Sequence, residues 1–163
     1  MDSLRFGEDY HNKFDPKAYL NYYNGASDQL ELREFSLRCF HEFWSKMGQR
    51  NVPGNVRVLE FGGGPAIYDL ISAAPYAEEI VFAEYSEENR KEIAAWKERS
   101  RDAHDWLPYF RFVVQRFEGK ESEEALIREA ELRKKITHIL PCDIALEDPV
   151  KWPSTWKIGR AHV

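Results

Sequence analysis

Three groups of residues in this chain have the types and spacing to hold a ligand. Gly62-Gly63-Gly64 follow directly on a short run of β-formers, Val56, Val58, Leu59 and Phe61. Glu84 ends a second such run, 20 residues past Gly64, and Asp143 follows a third. Consecutive glycines let the backbone turn sharply and approach a bound group closely. A helix starting after them offers unpaired N–H groups to a polar or anionic ligand group. An acidic residue closing the second strand, at this distance from the glycines, can accept hydrogen bonds from both ribose hydroxyls of a nucleoside. Asp143 can accept from an exocyclic adenine amine while Ile144 packs on the ring. Together the three fit an adenosine-bearing ligand. Each alone also fits something plainer: a tight turn packed without a ligand, a solvated strand-end carboxylate at Glu84, a helix cap at Asp143. Their placement at one edge is what points to a site.

Two features choose among adenosine ligands. A dinucleotide-binding turn shows Gly-x-Gly-x-x-Gly, and Ile67 stands where its third glycine belongs. Glu60 sits just before the glycines. A carboxylate there repels a pyrophosphate and attracts an ammonium or a sulfonium. The rings of Tyr19, Tyr23 and Tyr68 would add cation–π attraction, although such clusters also simply pack on a neighbouring helix. S-adenosyl-L-methionine carries both cations and fits better than NAD. An NAD(P)-binding dehydrogenase, which shares the first strand–turn–helix unit, stays as the alternative. No residue is assigned as a catalytic acid, base or nucleophile.

The elements that must position these groups follow from periodicity. After the glycines, Pro65 suits a first helical position, and Ile67, Leu70, Ile71 and Ala74 predict a helix over residues 65–74. A second strand is predicted over residues 79–83. Ser86 can cap the next helix, which carries Ile93, Ala94 and Trp96 inward. Trp106, Tyr109, Phe110, Val113 and Phe117 recur at helical steps, with a strand over residues 110–114 as the competing reading. A helix over residues 122–135 shows the i,i+4 pairs Glu124/Arg128, Glu129/Arg133 and Glu131/Lys135, read as a solvated face. A third strand covers residues 136–140. The β-α-β-α-β alternation predicts a parallel sheet with helices on both faces, an α/β fold. Upstream, Asp15-Pro16 signals a helix entry, and residues 17–24 place Tyr19, Tyr22 and Tyr23 on a short helix. Asp28 with Glu31 resembles a capping box. Leu32, Phe35, Cys39, Phe43 and Met47 then predict an amphipathic helix of roughly 18–20 residues, ended by Gly48.

Composition sets bounds around this. A chain of 163 residues suggests about one domain. The net charge of −5, with mixed signs throughout, gives no basic footprint for nucleic acid. No apolar run reaches bilayer length, and the first residues lack the form of a signal peptide; a cytoplasmic location is expected. Cys39 and Cys142 lie far apart and outside metal-ligand spacing, so two free thiols and no metal site are expected. Aromatic residues at 14% suggest a large apolar pocket or a well-filled core.

Six blocks in order carry a resemblance: F-D-P-K-A-Y-L at 14–20, L-E-F-G-G-G-P-A-I-Y at 59–68, E-I-V-F-A-E-Y-S-E-E-N at 79–89, D-W at 105–106, E-G at 118–119 and L-P-C-D-I at 140–144. The chain resembles the small-molecule N-methyltransferase family of nicotinamide, phenylethanolamine and indolethylamine N-methyltransferases. The resemblance implies the N-terminal part of a Rossmann-like class I methyltransferase fold with an N-terminal helical lid, using S-adenosyl-L-methionine. It implies Gly62, Gly63 and Gly64 near the methionine part of that cofactor. Tyr68 would contact its carboxylate, and Tyr19 would help close the site, with Tyr22 or Tyr23 as the second aromatic. Glu84 would hold the ribose, with Tyr85 beside it. Asn89, Asp143 and Ile144 would line the adenine region. Family members commonly have Asp where this chain has Glu60 and Glu84, and Ser where it has Gly63. The implied acceptor is a small amine or a pyridine, methylated by a monomeric parent.

The resemblance fades near residue 152, before the later strands and most of the acceptor pocket of the family. Residues 157–163, K-I-G-R-A-H-V, match the translation of a common sequencing-library adapter and are expected to be non-native. The expected organisation is a helical lid over residues 1–55, a partial cofactor-binding domain over 56–156 and that tail. Three strands alone would leave the first as an exposed apolar edge, which invites aggregation. The polypeptide is therefore expected to be poorly soluble and inactive alone; a catalytically silent cofactor-binding fragment is the remaining alternative.

Overall fold

The computed structural model describes residues 14–25, 29–50 and 56–153. The proposed capping box at Asp28, the side chain of Tyr23 and the tail at 157–163 lie outside the described residues. Two helices, α1 (Pro16–Gly25) and α2 (Gln29–Arg50), precede the first strand, β1 (Val56–Phe61). A short 3-10 turn (Tyr68–Leu70) leads to β2 (Ala77–Glu84), then α3 (Glu87–Lys97), α4 (Leu107–Arg116), α5 (Glu124–Lys135) and β3 (Ile136–Pro141). The strands form a parallel sheet in the order β1-β2-β3. This is the α/β architecture expected, with α3, α4 and α5 crossing over between the parallel neighbours β2 and β3.

Local chemistry explains the helix starts. Asp15 accepts the N–H groups of Lys17 and Ala18 at 2.9 and 3.0 Å, and Pro16 fills the first position of α1, as its fixed φ favours. Ser86 caps α3, its hydroxyl accepting from Asn89 N. The segment 107–116 is a helix rather than a strand, burying Phe110, Val113 and Val114 on one side.

Three expectations change. Residues 65–74 do not form a continuous helix. Hydrogen bonds to the third residue back, from Leu70, Ile71, Ala73 and Tyr76, are mixed with bonds to the fourth, from Ala74 and Ala77, so the segment winds as tight 3-10-like turns rather than one α-helix. The apolar period still holds, since Ile67, Leu70, Ile71 and Ala74 are all core. Gly48 does not end α2, which runs on to Arg50. The charged face of α5 is only partly solvated. Arg128 is buried and turns from Glu124 to a two-pronged bond with Glu118, at 2.8 and 2.9 Å. Glu129 holds Arg133 at 2.6 Å beneath the Trp96 ring.

The two sheet faces differ. Cross-strand pairing places Val58, Ile80 and Ile136 on one face with Glu60, Phe82 and Ile139. The main core grows on that face, taking Leu20, Leu37, Trp96, Phe110 and Leu132 from the five helices. The other face carries Leu59, Val81 and His138, then Phe61, Ala83 and Leu140. Its small cluster of Ala83, Cys142 and Val150 contains no residue of these helices. Leu59 is 43% and Phe61 38% exposed there. A second helical layer over this face is not among the described residues. Within the described sheet, β1 is an edge with alternating exposure, as the aggregation argument requires.

Candidate functional site

The parallel register brings the carboxyl ends of all three strands to one edge. Gly62 N donates to Ala83 O at 2.7 Å, and Cys142 N donates to Glu84 O at 3.3 Å. The chain leaves β1 through Gly62 at φ +76° and Gly64 at φ +64°, a left-handed backbone that side chains resist. Gly63 is needed for closeness instead: a Cβ there would lie 2.9 Å from the Phe82 ring and 3.0 Å from Glu60.

Glu84 is the hub. It is 3% exposed. Its Oε2 accepts Gly64 N at 3.0 Å; its Oε1 accepts Ser86 N at 2.9 Å and Asn89 Nδ2 at 3.0 Å. One carboxylate thereby ties the glycine loop to the start of α3. Asn89 is wholly buried behind it, so it positions Glu84 rather than lining an open surface. Arg90, which sequence reasoning missed, donates to both Glu84 O and Tyr85 O, at 2.7 and 2.6 Å. Its place one helical turn after Ser86 was the available signal, but nothing in the sequence says that a surface arginine will turn back to carbonyls.

At the third strand end, Asp143 accepts Ala145 N at 2.9 Å, an Asx turn. Cys142 pairs with Val150 as the chain doubles back. Burial, then the nearby Glu84 charge, pushes the Cys142 thiol up, so it stays neutral. Tyr85, Pro141, Cys142, Asp143 and Leu146 border a cleft of about 480 Å³. Ile144 is 83% exposed.

The structure therefore gathers Gly62, Gly63, Gly64, Glu84, Tyr85 and Asp143 at one edge, with Asn89 behind and Ile144 beside. Tyr68 joins an aromatic cluster with Phe40, Trp106 and Tyr109, at ring separations of 6.3–6.4 Å. Tyr19 packs on Phe14 and the rim of the core. Glu60, expected to attract a cation, lines a cleft together with Asp69, which sequence reasoning missed; burial raises Glu60, and burial followed by the Glu60 charge holds Asp69 well above the usual carboxylate range. Among the described residues no group of three or more His, Cys, Asp or Glu is placed to hold a metal, and no helix is long and apolar enough to cross a membrane.

Known proteins are similar to this sequence. The model of the NNMT/PNMT/TEMT family matches residues 3–158. Indolethylamine N-methyltransferase of Mus musculus is 32% identical over 148 residues, 88% of this chain and 54% of the relative. Nicotinamide N-methyltransferase of Homo sapiens is 29% identical over 146 residues, covering 86% and 53%. Phenylethanolamine N-methyltransferase of Mus musculus is 30% identical over 149 residues, covering 88% and 48%. The chain spans about half the length of the curated relatives it matches.

Proposed function

The chain belongs to the NNMT/PNMT/TEMT family, and we propose on that premise that it is the cofactor-binding half of an S-adenosyl-L-methionine-dependent N-methyltransferase. The observation that carries this reading is the bond from Gly64 N to Glu84, with Asp143 at the next strand end. The acceptor would be a small amine or a pyridine-type nitrogen, in line with the names of the relatives.

The residues fit such a cofactor, with one adjustment. An ionised carboxyl has about four acceptor positions, and three chain donors already use Glu84. One position on Oε2 is left, so Glu84 can take one ribose hydroxyl rather than two. The left-handed glycines bring backbone close to the methionine part, as their lack of Cβ allows. Asp143 and Tyr85 would border the adenine. Tyr68 and Tyr19 would meet the methionine end, with α1, which rests on α3, and α2 forming a lid. Bound, the cofactor supplies an electrophilic methyl on sulfur. The chain contributes orientation and exclusion of water, which can supply much of the acceleration. A pyridine nitrogen needs no deprotonation; an aliphatic amine must lose its proton before it can accept the methyl. The 163-residue chain by itself would be inactive.

Calorimetry tests this on the 163-residue chain and on a protein extended to family length. Heat with S-adenosyl-L-methionine and none with NAD is expected of the longer protein, together with methyl transfer to an amine or pyridine. Heat with NAD alone would overturn the reading in favour of a dehydrogenase. Cofactor heat without transfer in the longer protein would select a silent binding module.

A further inference from the structure

The turn from β2 into α3 is held from several sides. Ser86 caps the helix, and the Glu84 carboxylate takes Gly64 N, Ser86 N and Asn89 Nδ2. The Glu84 carbonyl accepts Cys142 N, just past β3, at 3.3 Å. Arg90 lies four residues after the cap, and helical side chains lean toward the N-terminus of their own helix. Its guanidinium therefore reaches back over the first turn of α3. One nitrogen, Nη1, donates to Glu84 O at 2.7 Å and to Tyr85 O at 2.6 Å.

Nη1 carries two hydrogens, so each carbonyl takes one. Glu84 O then has both of its acceptor positions filled, one by Cys142 N and one by Arg90. Hydrogen bonds with one charged partner are short and roughly twice as strong as neutral ones. Arg90 borders the cleft of about 480 Å³ together with Glu87, Glu88 and Asp143. Glu87 and Glu88 meet Lys91 instead, at 3.1 and 2.8 Å. A guanidinium that bonds two carbonyls in so acidic a cleft is holding backbone.

We propose that Arg90 is a positioning residue for the adenosine part of the methyl donor. By holding the carbonyls of Glu84 and Tyr85 it fixes the backbone on which two of the proposed contacts stand. These are the Glu84 Oε2 position left for a ribose hydroxyl and the Tyr85 side chain beside the adenine. This role rests on the cofactor reading above, and Arg90 plays it through its neighbours. Without the guanidinium, the peptide after Tyr85 loses this anchor on α3, and the Tyr85 side chain gains room to swing across the cleft. The bond from Ser86 N to Glu84 Oε1 spans the same turn and weakens with it. Glu84 Oε2 also carries Gly64 N, so the loosening reaches the glycine loop.

The test compares the natural protein with Arg90→Met, which keeps the apolar stem and removes the donors, and with Arg90→Lys, which keeps a charge but not the planar fork. On the 163-residue chain, amide hydrogen exchange is followed at Ser86 and Cys142, with Val113, buried in α4, as the remote reference. Relative to Val113, exchange at Ser86 and Cys142 is expected to quicken about tenfold in Arg90→Met. An equal change at all three reports only a general loss of stability and overturns the proposal. On a protein extended to family length, the dissociation constants of S-adenosyl-L-methionine and of adenosine should each rise about tenfold, and KM for the methyl donor should rise by more than kcat falls. Arg90→Lys is expected to lie between Arg90→Met and the natural protein; should Arg90→Met fail to fold, Arg90→Lys takes its place in both experiments. A variant that binds S-adenosyl-L-methionine as tightly as the natural protein overturns the role of Arg90 and leaves the cofactor reading standing. A natural protein that binds none overturns both.

Discussion

Glu84 gives the sharpest test of how the site is built. Its carboxylate takes three N–H groups, from Gly64, Ser86 and Asn89, at 2.9–3.0 Å. Glu84→Gln keeps the size and removes the charge. Its single carbonyl oxygen can serve either the two donors at the Oε1 position or the one at Oε2. In the better arrangement the new NH2 group faces Gly64 N–H, donor against donor. One hydrogen bond to a charged group is lost, about 1.5–3 kcal/mol. Glu84→Ala strands all three donors in a buried place, at about 1–3 kcal/mol each. Against a total stability of roughly 5–15 kcal/mol for a domain, the alanine variant should be unfolded or nearly so. Urea unfolding followed by tryptophan fluorescence reports this, because Trp96 and Trp106 are both buried. With a urea dependence of about 1–3 kcal/mol per molar, Glu84→Gln should lower the midpoint by about 1 M. Hydrogen exchange at Gly64 N should quicken in the same variant. A midpoint shift under about 0.3 M, or an alanine variant milder than the glutamine one, would refute the view of Glu84 as the joint between loop and helix.

Other perturbations read separate parts of the fold. Arg128→Ala takes the two-pronged partner from half-buried Glu118, which keeps Lys120 at 2.9 Å, and should cost about 1.5–3 kcal/mol, whereas replacing both residues with methionine should come close to the natural stability; a double variant as unstable as the single one would count against this. Burial pushes the Glu118 carboxyl up, but bonds from Arg128 and Lys120 more than reverse that and hold it low. Its contribution is therefore present above the ordinary carboxyl range and is lost as pH falls through the depressed value, so the gap between the natural chain and Arg128→Ala should close in acid. Gly64→Ala meets open space but a left-handed backbone, and should cost about 1–2 kcal/mol; Gly63→Ala should cost more than that, since its new methyl meets Phe82 and Glu60. Leu59→Lys with Phe61→Lys should raise the soluble yield of the chain while leaving stability within about 0.5 kcal/mol, as both sites are exposed; an unchanged soluble fraction would remove the exposed sheet as the cause of poor solubility.

Local rules made much of this protein readable before its structure. Short runs of β-formers marked three strands, Asp15-Pro16 and Ser86 marked helix starts, and the period of Trp106 to Phe117 marked α4. Strand-end position alone placed the glycines, Glu84 and Asp143 on one edge, because neighbouring parallel strands end on the same side of the sheet. Tertiary contacts decided the rest. The turn after the glycines tightened into bonds to the third residue back. Arg128 left its surface partner for Glu118 on another segment, Arg90 turned back onto two carbonyls, and Asn89 went behind Glu84 rather than into the cleft. A sequence fixes spacing along one element, so periodicity and caps can be read from it. Which charged side chain answers which partner depends on distances between elements far apart in the chain, and those exist only once the sheet and its helices have packed.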